Sequence, residues 1–147
     1  MSEKLYKIGE LAQKTHISVE TLRFYESKGL LKAHSRSASG YRLYSEQDEQ
    51  RLYFILHAKK VGFSLAEIEQ LLGVQVNKDQ YTCEDVKQFT QEKIDQIEAK
   101  IADLSKIKLA LSQLNKACCG GGESAMHCSI LHTLEDPMMF QIEREAQ

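Results

Sequence analysis

Four cysteines are the residues of this sequence with the clearest capacity for chemistry. Cys118, Cys119 and Cys128 lie close together, while Cys83 stands far upstream. Thiolates bind soft and borderline metal ions, and cytosolic thiols are kept reduced instead of pairing as disulfides. The sequence shows neither a secretory signal nor an apolar run long enough to cross a bilayer. We therefore expect a cytoplasmic chain with no membrane partner, whose cysteines are metal ligands or reactive thiols.

The segment that positions these thiols is a long predicted helix over residues 83–116. It contains no glycine or proline, and its apolar residues recur every three or four positions, as on one face of an amphipathic helix. Because so narrow a stripe has little of its own domain to cover it, we expect a homodimer held by an antiparallel coiled coil. The alternative is a helix folded back on its own chain. The stripe consists of Ile94, Ile97, Ile101, Leu104, Ile107, Leu111 and Leu114.

The length of this helix decides which thiols can share an ion. At a rise of about 1.5 Å per residue, the helix separates Cys83 from Cys118 by roughly 50 Å. One chain therefore cannot bring both to the same metal. In an antiparallel pair, Cys83 of one protomer meets the loop of the other, and two symmetry-related sites result.

The loop after the helix supplies the remaining candidate ligands. Adjacent Cys118 and Cys119 cannot readily chelate one tetrahedral ion, but they can serve two neighbouring ions. Cys128 then joins Cys118, His127 or Glu123 is available to the second ion, and a bridging Cys83 from the partner chain serves both. Buried, inert cysteines are the alternative for all four thiols, and a solvated loop side chain is the alternative for His127.

The chain around these ligands has clear boundaries. The glycines at 120–122 must end the long helix. Residues 117–147 are then a metal-binding loop and C-terminal segment, with a short helix that begins near Cys128 and stops at Pro137. Residues 76–82 form the linker that precedes the long helix.

Residues 1–75 have the pattern of a winged helix-turn-helix. Two short helical stretches flank the turn at His16, and Ser18 is a good cap for the second helix. The small residues 35–40 separate two β-type segments, which is typical of a wing. Capping boxes at Ser45 and Ser64 open two further helices. The fold class is therefore mainly α, with a winged helix-turn-helix, a long dimerisation helix and a C-terminal metal loop.

Charge and side-chain type favour DNA as the partner of the N-terminal part. Residues 1–62 hold eleven Lys and Arg against seven acids, which suits a module that faces phosphates. The second helix of a helix-turn-helix enters the major groove, and here it carries Thr21, Arg23 and Tyr25. Arg23 can bind guanine or phosphate, and Tyr25 can donate to a phosphate. A solvated helix face is the alternative.

Several ordered stretches resemble the MerR family of transcription regulators. They are residues 8–12, the Thr21-Leu22-Arg23-Phe24-Tyr25-Glu26 run, residues 28–31, Arg36, Gly40-Tyr41-Arg42-Leu43-Tyr44, residues 51–55 and residues 62–65. The resemblance implies that Arg23 and Tyr25 lie in the recognition helix and that Arg36, Tyr41 and Arg42 lie in or beside the wing. It also implies that Lys59 and Lys60 lie near a turn that contacts the DNA backbone.

The cysteine pattern is similar to that of zinc-responsive activators within this family. Monovalent-metal sensors of the family have serine where Cys83 stands, so the resemblance implies a divalent ion, Zn²⁺, with up to two ions per site. Cd²⁺, Pb²⁺ and Hg²⁺ are the alternatives, since softer ions also bind thiolates tightly. The chain departs from those relatives at Glu123, where they have histidine, and His127 stands nearby.

The resemblance also implies a mechanism and its rivals. A dimer occupies an overlong promoter spacer, and metal binding distorts the DNA so that RNA polymerase engages both promoter elements, with metal-efflux genes as expected targets. A thiol or iron–sulfur redox regulator is less favoured because Cys83 is remote from the loop. A metallochaperone or a metal hydrolase is the reading from another class. An enzyme is not expected, because the sequence offers no nucleophile–base pair and no phosphate loop.

Overall fold

The structure, a computed structural model, describes residues 3–138. It is mostly helical with one small sheet, which confirms the predicted fold class. The chain divides into two compact units, Met1–Lys93 and Ile94–Gln147. No helix among the described residues is both long enough and apolar enough to span a membrane.

The helix-turn-helix is formed by α1 (Ile8–Thr15) and α2 (Val19–Ser27). His16 ends α1 in the left-handed region at φ 59°, which allows the tight turn between the helices. The Ser18 hydroxyl accepts a hydrogen bond from the Thr21 amide at 3.1 Å and caps α2. The predicted cap therefore fixes where the second helix begins.

The wing is a three-stranded antiparallel sheet of β1 (Tyr6–Lys7), β2 (Ser35–Arg36) and β3 (Arg42–Tyr44). The strand order is β1-β3-β2, with Tyr6 opposite Tyr44 and Ser35 opposite Leu43. Gly40 turns the chain between β2 and β3 at φ 86°, a conformation that glycine adopts without strain.

Two further helices complete the hydrophobic core of the first unit. They are α3 (Glu46–Lys60) and α4 (Leu65–Val76), and each opens with the capping box predicted from Ser45 or Ser64. A single turn of 3₁₀ helix follows at Lys78–Gln80. The buried core draws on α1, α2, α3, α4, β1 and β3, and its largest fully buried apolar side chains are Leu11, Leu22, Tyr44, Leu52, Ile55 and Ile68.

The long helix α5 (Cys83–Ala117) is continuous for 35 residues. Thr82 and Asp85 exchange hydrogen bonds of 2.8 and 3.1 Å across its first turn. The side chains of its apolar stripe from Ile94 to Leu111 are exposed in the chain. After α5 come a 3₁₀ turn at Ala125–His127 and the short helix α6 (Ser129–Glu135), where a closing helix was expected.

Candidate metal and DNA-binding sites

The five candidate ligands of the loop line one cavity. Its volume is about 320 Å³, and its walls include Cys118, Cys119, Glu123, His127 and Cys128. Gly120, three residues after the end of α5, takes φ 68°, a conformation that glycine adopts without strain. The Ser129 hydroxyl donates to the Ala117 carbonyl at 3.0 Å, which ties the start of α6 to the end of α5. The sequence prediction that these residues share one loop site therefore has a cavity to match it.

The Cys128 thiol stands at the N-cap of α6. The backbone N–H groups of Leu131 and Ile130 lower its pKa, and the neighbouring Cys118 thiol acts in the same direction. A lower pKa favours the thiolate, which is the metal-binding form. Cys118 and Cys128 are half-buried, whereas Cys119 is exposed.

The donor chemistry of this cavity fits a thiolate-bound metal, because three of its lining residues are cysteines. Within residues 3–138, no three His, Cys, Asp or Glu side chains lie close enough together to hold an ion. Structural zinc sites use four protein ligands. The thiol, imidazole and carboxylate groups that line the cavity are of the types that hold zinc, without forming a closed site in the described part of the chain.

Cys83 lies in the other compact unit, exposed in the first turn of α5. It borders an apolar cavity of about 290 Å³ that is also lined by Phe54, Leu71, Tyr81 and Val86. All the residues that line this cavity belong to the first unit. Cys83 and the loop cysteines therefore belong to different compact units of the chain.

The predicted DNA-reading residues of α2 differ in exposure. Arg23 is exposed, and Thr21 is half-buried with its hydroxyl 2.8 Å from that of Ser18. Tyr25 is only 5% exposed and belongs to the core, and this burial raises the pKa of its phenol. The Tyr25 hydroxyl makes no hydrogen bond to another residue in the range 3–138. Because the ring is buried, the hydroxyl is the part of this side chain that could contact a phosphate.

The wing and the end of α3 present the other predicted residues. Arg36 donates to the Gly40 carbonyl at 3.1 Å and braces the wing turn. Tyr41 is 58% exposed, and the Lys7 ammonium lies 4.7 Å from its ring centre. Lys59 and Lys60 are exposed in the last turn of α3.

Two residues that sequence reasoning missed lie beside Arg42. Glu26 forms an ion pair with Arg42 at 2.5 Å, and Lys32 lines the same surface cavity as Arg36 and Arg42. An acidic residue on a DNA-reading helix could have drawn attention, because it needs a cation nearby. The partner itself is 16 residues away and is not visible in any periodicity.

The comparisons with known proteins agree with this architecture. Residues 6–74 match the MerR HTH family of regulatory proteins, and residues 49–114 match the MerR DNA-binding family. The chain is 42% identical to the HTH-type transcriptional regulator ZntR of Escherichia coli K12 over 131 residues, covering 89% of this chain and 93% of ZntR. The chain belongs to the MerR family. It is a transcription regulator of that family and not an enzyme.

Other MerR-family proteins that it resembles are named for different metals. The mercuric resistance operon regulatory protein of Bacillus cereus is 43% identical, with 88% of this chain and 96% of that protein covered. The crystal structure of PbrR691 from Ralstonia metallidurans, in complex with lead(II), superposes with a TM-score of 0.78 at 35% identity. It covers 88% of this chain and 98% of that one. Similarity alone thus leaves the metal of this MerR-family chain open.

Proposed function

We propose that this MerR-family regulator is a metal-dependent transcription activator that senses Zn²⁺ as a homodimer on promoter DNA. The observation that carries the proposal is the cavity that Cys118, Cys119, Cys128, His127 and Glu123 line together. Metal-responsive relatives support it, and so does the resemblance of the cysteine pattern to zinc-responsive members of the family. Bound zinc supplies strong, oriented bonds to thiolates that close the loop in one arrangement.

The dimer follows from the exposed stripe of α5. Ile101, Leu104 and Leu111 are each more than half exposed, and burying such side chains against a partner contributes about 1.5–3 kcal/mol each. Two antiparallel helices cover the stripe and complete the ligand set, because the partner's Cys83 then meets the loop. This accounts for a thiol at each end of α5.

The ligands divide between up to two ions. Cys118 and Cys128, the two half-buried thiols of the loop, would hold one. Cys119 would hold the other with His127 or Glu123, and Cys83 of the second protomer would serve both. His127 is favoured as the nitrogen donor because imidazole is a common zinc ligand, and Glu123 offers an oxygen if His127 stays in solvent.

The activation step belongs to the DNA-bound dimer. The recognition helix, the wing and the lysines that end α3 hold an overlong promoter spacer. The dimer with a closed loop favours a bent and untwisted DNA shape, in which RNA polymerase contacts both promoter elements. The free energy that couples the two states is the difference in metal affinity between the two DNA-bound shapes. Genes for metal efflux are the expected targets.

A regulator of the same design for mercury, lead or cadmium is the second candidate. The mercuric relative and the lead-bound structure favour it, and thiolates bind these softer ions tightly. Affinity in vitro does not separate the metals for that reason. A thiol or iron–sulfur redox role is tested separately by an absorbance spectrum of the purified protein, where sulfide-to-iron bands would support it.

Promoter-reporter induction in cells across a metal series tests the proposal. We expect the wild type to respond at the lowest dose to zinc and Cys83→Ser to lose induction. Ser105→Ala, an exposed change within α5, is the control and should respond as the wild type does. Induction by mercury or lead at lower doses than zinc would favour the second candidate, and silence toward every metal would overturn the sensor function.

A further inference from the structure

Glu26 is an acidic residue on the helix that we propose reads DNA. A negative charge there does not by itself favour binding to phosphates. It lies near the end of α2, and its side chain is 13% exposed. Both of its carboxylate oxygens are engaged. Oε2 accepts from Nη1 of Arg42 at 2.5 Å, and Oε1 accepts from the Tyr44 hydroxyl.

Both partners of Glu26 belong to the wing strand β3. Tyr44 is fully buried, while the Arg42 side chain is 46% exposed. The carboxylate therefore lies between the core and the surface and joins the recognition helix to the wing. Charge-assisted hydrogen bonds to a shielded carboxylate are stronger than neutral ones, so this joint fixes the position of the Arg42 guanidinium relative to α2.

The ion pair leaves Arg42 with binding capacity. A guanidinium has five N–H donors, and the bond to Glu26 uses one of them. Arg42, Arg36 and Lys32 line one surface cavity of about 350 Å³. A cation held in this way meets a phosphate only when the recognition helix and the wing are both in register with the groove.

We propose that Glu26 is a positioning residue for DNA recognition, which orients Arg42 so that its phosphate contact forms only in the correctly docked complex. The inference rests on the DNA-reading part of the proposed function. Phosphate contacts carry little sequence information themselves, but they fix the register in which bases are read. Glu26 also offsets the charge of Arg42, which limits its attraction to unrelated DNA.

The test compares two duplexes of equal length in shift titrations over a range of salt concentrations. One is selected from a random pool by the wild-type protein, and the other is its scrambled version. For Glu26→Gln we expect about tenfold weaker binding to the selected duplex, in line with the loss of one charge-assisted hydrogen bond. Binding to the scrambled duplex should be equal or stronger, because Arg42 keeps its charge without Glu26.

Controls separate positioning from a purely structural role. Glu69→Gln makes the same charge change on an exposed part of α4 and should leave the ratio of the two affinities unchanged. In an Arg42→Ala background, Glu26→Gln should have no further effect on that ratio. Tyr44→Phe removes only the hydrogen bond from the Tyr44 hydroxyl to Glu26. It should lower the ratio of the affinities for the selected and scrambled duplexes about threefold, and it provides a second test if Glu26→Gln does not fold.

An unchanged ratio in Glu26→Gln and Tyr44→Phe would overturn the inference. An equal loss on both duplexes, or the same loss with and without Arg42, would also do so. A wild-type protein that selects no sequence would overturn the DNA-reading function itself, so the two failures are distinguishable.

Discussion

Arg42 is the side chain on which the phosphate-contact account can be tested directly. It is exposed beside Arg36 and Lys32. We expect Arg42→Ala to weaken binding to every selected promoter by a similar factor and to reduce the salt slope by about 1, as loss of one phosphate contact requires. Shift titrations over a salt series measure both, with Lys106→Ala on α5 as the control. Unchanged affinity and slope would remove Arg42 from the contacts.

The ion pair between Lys93 and Glu67 makes the first unit sensitive to acid. The Lys93 ammonium donates to Glu67 at 2.8 Å, and this bond, with the Ser64 amide, lowers the pKa of Glu67 to about 2. A lowered pKa means that the pair stabilises the fold above the ordinary pKa of 4.5. That stabilisation is lost as the pH falls from there through about 2.

Glu67→Gln should therefore be less stable than the wild type at neutral pH and should lose less stability on acidification. Because both side chains are partly exposed, we expect a modest effect. Urea unfolding at pH 7 and pH 3 checks it, with Glu69→Gln as the control. Parallel pH profiles for the wild type and Glu67→Gln would contradict this role.

At the scale of elements, the sequence predicted what local physical chemistry decides. The boxes at Ser45 and Ser64 and the continuous α5 follow from residue spacing, and the structure confirms them. The environment of Tyr25 and the anchoring of Glu26 were not predictable. Both depend on tertiary packing, and the partners of Glu26 in β3 are 16 and 18 residues away. Helical spacing places Tyr25 on α2 but does not say that its side chain is buried in the core.

The exposed stripe of α5 carries the prediction for assembly. Leu104, which is 64% exposed, lies within it. In a homodimer both chains carry Leu104→Glu, so the substitution places two carboxylates in the apolar contact between the two α5 helices. We expect dimerisation to weaken roughly hundredfold, since about 1.4 kcal/mol is a factor of ten and each lost leucine contact is worth more. Sedimentation measures this, with Ser105→Glu as the neighbouring control. A dimer of unchanged strength would mean that the stripe packs elsewhere.

At the scale of the whole molecule, we propose that the metal site is a property of the assembly. The sequence predicted the loop ligands within one segment, and in the structure these residues line one cavity. Within residues 3–138, however, no three candidate ligands converge. The further ligand that we propose from a second chain cannot be read from periodicity or capping, because its position would depend on how two chains pair.

Zinc content of mixed dimers tests this claim most directly. One protomer carries Cys83→Ser, the other carries serine at 118, 119 and 128, and different affinity tags allow the mixed species to be isolated. Each dimer is treated with a weak chelator, the chelator is removed, and the zinc that stays bound is measured. If the site is shared between chains, this mixed dimer keeps half of the zinc that the wild-type dimer keeps. A dimer of a wild-type chain with a chain lacking all four cysteines should then keep none. The reverse result, no zinc in the first dimer and half in the second, would contradict the account.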